Sequence, residues 1–189
     1  PGQQLTHERW LHRKTKETHV DLATLMASME SFPAMLASSV AGLSDEEVRV
    51  KPPSGAWSVL EIVCHLADEE AEDFRVRVLS TLEDPSKPWP NIDPEGAVVE
   101  RKSNEKILAE ELGRFTRERA ESIRLLREVS DPDWDRAYHH PSLGELRAGD
   151  IMASWAVHDM LHLRQIAKRR FELLSTAGKP FGTTYAGSW

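Results

Sequence analysis

Apolar residues recur at spacings of three and four along four stretches of the chain, the period of a single helix face. In the first stretch, roughly Thr6 to Ala41, Leu22, Leu25, Met26, Met29, Phe32, Met35 and Leu36 share a face. Pro33 lies inside this run and has no N–H to donate, so a kink or a helix break is expected there. The second stretch starts at Ser58 and carries Leu60, Ile62, Val63, Leu66, Phe74, Val78, Leu79 and Leu82 to about Glu83. The third, from about Asn104 to Ser130, carries Ile107, Leu108, Leu112, Phe115, Ile123, Leu126 and Val129. The fourth runs from about Asp150 to Leu174. It ends in Lys168-Arg169-Arg170, cations suited to the negative end of a helix dipole. No stretch alternates apolar and polar residues long enough to predict a strand. Four long helices with one apolar stripe each predict an all-α four-helix bundle.

The boundaries carry their own signals. Ser58 and Glu61 have the spacing of a capping box, and Ser44 with Glu47 repeats it before a short turn. Lys51-Pro52-Pro53-Ser54-Gly55 reads as extended chain, because a proline biases the preceding residue away from helix. Asp84 to Ser103 holds Pro85, Pro88, Pro90 and Pro94 and reads as a long irregular crossover. A loop of that length in a compact domain is functional or disordered more often than a plain connection. Asp131-Pro132 closes the third helix, and a second loop with His139-His140-Pro141 and Gly144 follows. Residues 1–189 read as a single domain, with 175–189, rich in Gly, Ser and Thr, as a peripheral tail.

Composition narrows the classes. The 189 residues are 40% hydrophobic and 29% charged, ordinary for a water-soluble globular chain. The net charge of −7 argues against binding phosphate backbones, so no nucleic-acid partner is expected. No apolar run approaches the ~20 residues of a spanning helix, so no membrane partner is expected, and Pro1 to Trp10 lacks a signal-peptide core. Cys64, the one cysteine, has no internal disulfide partner, which excludes a disulfide-stapled scaffold and makes a reducing cytoplasm the expected location.

The chemistry concentrates in the fourth stretch. His158 and His162 stand at i and i+4, one turn apart, close enough to chelate one metal ion. Ile151, Trp155, Gln165 and Ile166 share their face, which makes it core-facing. His65 lies in the apolar run of the second stretch, and bundle neighbours can bring it against that pair. Three imidazoles with an open position form a catalytic zinc-type arrangement. Structural core histidines remain the bland alternative. His158-Asp159-Met160-Leu161-His162 also resembles the zincin motif, but Asp159 replaces its glutamate and no third zincin ligand follows.

Three elements in order resemble those of the DinB-like, or YfiT-like, superfamily of metal-binding four-helix bundles. Trp57 to Leu66 is similar to W-S-x-x-E-x-x-x-H-L, with Glu61 and His65 at the marked positions. His140-Pro141-Ser142-Leu143-Gly144 resembles H-P-x-x-G, and Trp155 to Ile166 resembles W-x-x-H-D-x-x-H-x-x-Q-I. The resemblance spans about Leu22 to Arg170. It implies an up-down-down-up bundle and His65, His158 and His162 as ligands of one divalent transition metal, zinc or nickel foremost. It also implies a small-molecule substrate, a homodimer, and either S-transfer with a low-molecular-weight thiol cofactor or hydrolysis by an activated water.

Other residues admit two readings each. Glu69 and Asp68 follow His65 by four and three residues and are candidates for a fourth ligand or a general base. Glu69 aligns better, while a solvated acidic face from Asp68 to Asp73 is the plain alternative. Glu61 is explained by its capping box. Asp159 is a candidate for orienting an imidazole on a neighbouring helix, or a surface carboxylate. Gln165 is a candidate for holding a ligand ring. Trp57 and Trp155 line a pocket or fill the core. Cys64 reads as a buried inert thiol, and His139 and His140 as structural or exposed. His7, His12 and His19 have no ligand spacing. The resulting expectation is a metal-dependent enzyme of the thiol S-transferase or hydrolase kind. The alternative from another class is a non-catalytic metal-binding or stress-response module.

Overall fold

A computed structural model describes residues 21–189. His7, His12 and His19, and the start of the first predicted helix, lie outside the described residues. Helix α1 is Leu22–Val40, with the Asp21 side chain accepting from the Thr24 N–H as its N-cap. It runs through Pro33 without a break, so of the kink or break expected there the break does not occur. A mid-helix proline costs about 3 kcal/mol. Met29, Phe32, Leu36 and Val40 bury fully on the same helix and return roughly 1.5–3 kcal/mol each. Packing outweighs propensity here.

Helix α2 is Val59–Glu69, opened by the capping box in which Ser58 and Glu61 satisfy each other's backbone N–H. A π-helical turn, Glu70–Phe74, joins it without a gap to α3, Arg75–Glu83. The turn inserts an extra residue, so side chains beyond it leave the register of the Leu60–His65 face. Ser44 and Glu47 also cap each other, before a 3-10 turn at Glu47–Arg49.

The segment after Asp84 is not the irregular crossover expected. It contains helix α4, Pro94–Glu100, with Asp93 as N-cap and Pro94 at the first position, where a missing N–H costs nothing. Helix α5 is Leu108–Glu128. The loop after it holds two short antiparallel strands that alternation had not predicted, β1 Ala137–His140 and β2 Gly144–Arg147, paired Ala137 to Arg147 and His140 to Gly144. Four residues per strand are too few to show a period, and Gly144 takes the positive φ of 75° at the turn.

Helix α6, Ala148–Ala177, passes the predicted end at Leu174 and takes in the first residues of the supposed tail. The Lys168-Arg169-Arg170 cluster therefore does not cap its own helix. Arg170 instead donates to the carbonyls of Ser39 and Ala41, at the C-terminal end of α1. The tail returns to the bundle, with Trp189 5.9 Å from Phe171.

Helix α1 packs on α5 and α6, α2 on α5 and α6, and α3 on α6. The core divides into two clusters. One is built on Phe32, Leu36, Leu60, Val63, Phe115 and Ile166, the other on Met29, Val78, Ile123, Met152 and Trp155.

Candidate metal centre

Helices α2 and α6 bring His65, His158 and His162 together, each offering a ring nitrogen within 4.8 Å of the others. The Nε2 atoms of His158 and His162 are 2.9 Å apart. Two nitrogens bound at ~2.1 Å to one ion sit roughly 3–3.5 Å apart, so this pair is already close to the spacing of adjacent ligands. The donor set fits a divalent transition metal. His162 Nδ1 lies 2.9 Å from Gln165 Oε1. A proton on Nδ1 satisfies that contact and leaves the Nε2 lone pair free.

Burial sets the charge state. It pushes His65 down to about 3 and His158 down to about 2, with the neighbouring imidazoles adding to the effect. Burial lowers His162 as well. At neutral pH all three rings are neutral, the form that binds metal. Two aromatic walls flank the cluster: Trp57 is 4.6 Å from the His65 ring and Phe74 is 4.9 Å from His158. The π turn delivers Phe74 to that position.

The acidic run after His65 is not the solvated face of the plain reading. Asp68, Glu69, Glu70 and Asp73 are all buried, and only Glu72 is exposed. Asp68 is taken up by Arg114 at 2.6 Å and Arg101 at 3.0 Å. Glu69 Oε1 is 3.9 Å from His65 Nδ1, too far for a hydrogen bond. Burial, and then the neighbouring Asp73, hold Glu69 well above the usual carboxylate range. Both Glu69 and His65 line a cavity of about 240 Å³ whose far wall comes from Asn91 to Arg101.

Two expectations are corrected. Asp159 orients no imidazole and does not reach the surface. It forms a bidentate pair with Arg119 at 2.7 and 2.9 Å, because α5 presents that guanidinium to it inside the bundle. Trp155 lines no cavity beside the histidines. It is 1% exposed, stacks on Phe74 and donates to Glu70 Oε2 at 2.8 Å. Sequence reasoning missed Arg119 and Glu70, which meet at 2.8 Å. A signal existed: position 119 lies between Phe115 and Ile123 on the apolar stripe of α5, four residues from each. Cys64 is buried, with its thiol pushed up to about 12 by burial. His140 Nδ1 accepts from the Ser142 and Leu143 N–H groups, a structural role.

A helical bundle with a buried three-histidine pocket between two of its helices defines a class of metal-site bundles. Within that class the chain belongs to the DinB superfamily, whose family model matches residues 28–166. A relative from Oceanobacillus iheyensis is 26% identical over 156 residues, covering 79% of this chain and 86% of its own. YfiT of Bacillus subtilis is 25% identical over 158 residues, covering 75% and 81%. Both carry the name putative metal-dependent hydrolase. The solved structure of Bacillus subtilis YfiT, described as an unusual four-helix bundle, superposes with a TM-score of 0.74. The match has 19% identity over 85% of this chain and 93% of that one. Among the described residues no helix is long and apolar enough to cross a membrane.

Proposed function

We propose that this chain is a metal-dependent hydrolase acting on a small molecule, with His65, His158 and His162 holding one divalent ion, zinc or nickel. The carrying observation is the convergence of three neutral imidazoles within 4.8 Å beside a cavity. The three histidines would hold the ion, which would supply Lewis acidity toward a water or a substrate oxygen. Gln165 fixes the ring of His162. Trp57 and Phe74 restrict bulk water at the histidines. Glu69, its carboxyl raised by burial and 3.9 Å from His65, is the group placed to exchange a proton with the reacting group. The relatives' shared name supports hydrolysis. S-transfer from a low-molecular-weight thiol uses the same histidines and is separated from hydrolysis by its dependence on added thiol.

The test is elemental analysis of tag-free protein beside His65→Ala and His158→Ala, with hydrolysis of activated esters and amides followed in the same samples. Metal near one ion per chain, lost in both variants with helicity intact, supports the reading, as does hydrolysis that follows metal content without thiol. Histidine variants that keep their metal, or a wild type that never acquires any, refute it. Activity that appears only with thiol replaces hydrolysis by S-transfer.

A further inference from the structure

The cavity beside His65 is more acidic than its ion pairs can cancel. Six carboxyl groups line it against one guanidinium, that of Arg101. Three of the six are accounted for. Asp68 and Glu72 share Arg101, Asp68 also takes Arg114, and Asp73 is held by Arg77. The other three, Glu69, Asp93 and Glu100, have no Lys or Arg partner among the described residues. Asp93 spends one oxygen on capping α4, and Glu100 is exposed at the end of that helix.

Glu69 adds a separate observation. It is only 9% exposed, yet it accepts no hydrogen bond among the described residues. His65 Nδ1 is out of range at 3.9 Å, and the Asp73 carboxyl that stands against it is another acceptor. Its oxygens are not sealed in protein as Asp68 Oδ2 and Glu70 Oε1 are, and they border the cavity. A buried carboxyl without a donor is costly to keep unless something in the cavity supplies one.

The spread of the acids selects the kind of cation. Among the described residues no three of these carboxyls bring their oxygens within 4.8 Å of one another, so they are too dispersed to share one metal ion. An ammonium group carries three N–H donors that point in different directions, and it can use acceptors on separate walls. An ammonium donating to Glu69 lies within roughly 7 Å of the His65 ring, which leaves room for a short spacer to the three histidines.

We propose that this cavity is the substrate subsite and that it takes a small organic cation: an ammonium group held between Glu69 on α2 and Asp93 and Glu100 on the wall opposite, with the reacting end of the molecule at the histidines. The proposal rests on the metal-centre reading for that reacting end only. The uncompensated carboxyls also draw cations toward the cavity and repel anions.

The experiment uses the full chain loaded with zinc and three hydroxamates that share a zinc-binding head and differ at the far end. These are β-alanine hydroxamate, butyrohydroxamate and succinate monohydroxamate, which end in an ammonium, a methyl and a carboxylate. Calorimetry should find the ammonium compound bound at least about tenfold tighter than the methyl one, the gain of one charge-assisted hydrogen bond, and the carboxylate weakest. The double variant Asp93→Asn/Glu100→Gln keeps an N-cap side chain on α4 and removes two charges. It should abolish most of the preference at unchanged zinc content. Equal binding of the ammonium and methyl compounds, or a preference that survives the double variant, overturns the proposal and leaves the metal reading standing. Protein that holds no zinc overturns the metal reading instead. Propylammonium against propanol on the metal-free chain, followed by ligand-observed NMR, then decides the subsite: a preference for the amine that the double variant loses supports it, and equal binding sinks it.

Discussion

Arg119 donates a 3.0 Å hydrogen bond to the carbonyl of Met29, the acceptor four residues before Pro33. Pro33 has no N–H to give that carbonyl, so a side chain from α5 supplies the donor that α1 lacks. The same guanidinium pairs with Asp159 of α6 and Glu70 of the π turn. One residue thus ties together three of the bundle's rods and its own.

Replacing Arg119 should be among the most damaging single changes in the chain. Arg119→Met leaves Asp159 and the Met29 carbonyl without their donor and Glu70 with Trp155 alone. A loss of about 3–5 kcal/mol is expected in urea unfolding of the metal-free protein. A loss below about 1 kcal/mol would show that the carboxylates find other partners or protons.

Gln165 touches the centre only through His162. Gln165→Leu should keep the fold and weaken metal affinity about 10–100-fold, read by competition with a chromophoric chelator. Unchanged affinity would mean that packing alone holds the His162 ring.

Acid should unfold the metal-free protein through its histidines. Burial holds His65 down to about 3 and His158 down to about 2, far below the ordinary imidazole value of ~6.5. The unfolded state therefore binds more protons below 6.5, so stability falls as pH drops from about 6.5 toward 3 and is fully present above 6.5. By about pH 4.5 the fall reaches up to roughly 2–3 kcal/mol per histidine. The raised carboxyls of Glu69 and Asp73 act in the opposite sense. Denaturation midpoints across this range should flatten in His65→Leu/His158→Leu. An equally steep fall in that variant would assign the acid sensitivity elsewhere.

Glu69 is separable from the ligands because it does not contact a ligand nitrogen at hydrogen-bond distance. Glu69→Gln should retain metal and lose about 10²–10⁴-fold in hydrolysis. Loss of metal along with activity would mark Glu69 as a ligand instead.

Cys64 should be silent. Its thiol is buried and pushed up to about 12, so the thiolate is scarce at neutral pH. Mass spectrometry after iodoacetamide should find the native protein unmodified and the urea-unfolded protein alkylated. Fast native labelling would reveal local opening of α2.

Much of the local structure was legible along the chain. The Ser58–Glu61 and Ser44–Glu47 caps follow from spacing alone, since each is an exchange of hydrogen bonds within four residues. The His158–His162 pair and its Gln165 contact are equally local, set by the pitch of one helix. The hairpin and α4 were not legible. Strands of four residues carry too few positions for a period, and the prolines between Asp84 and Ser103 masked a helix that uses one of them as its first residue.

The sequence alone determined the helical rods, most of their ends and the candidate ligands, because these depend on periodicity, proline geometry and hydrogen bonds between near neighbours. Only the tertiary structure decided that His65 meets the α6 pair and that Asp159 and Glu70 share Arg119 rather than serve the histidines. It alone buried Asp68, Glu69, Glu70 and Asp73 while leaving Glu72 exposed. Those outcomes depend on which helix faces which. Burial then sets the charge of each imidazole and carboxyl, through a dielectric environment that no stretch of chain carries by itself.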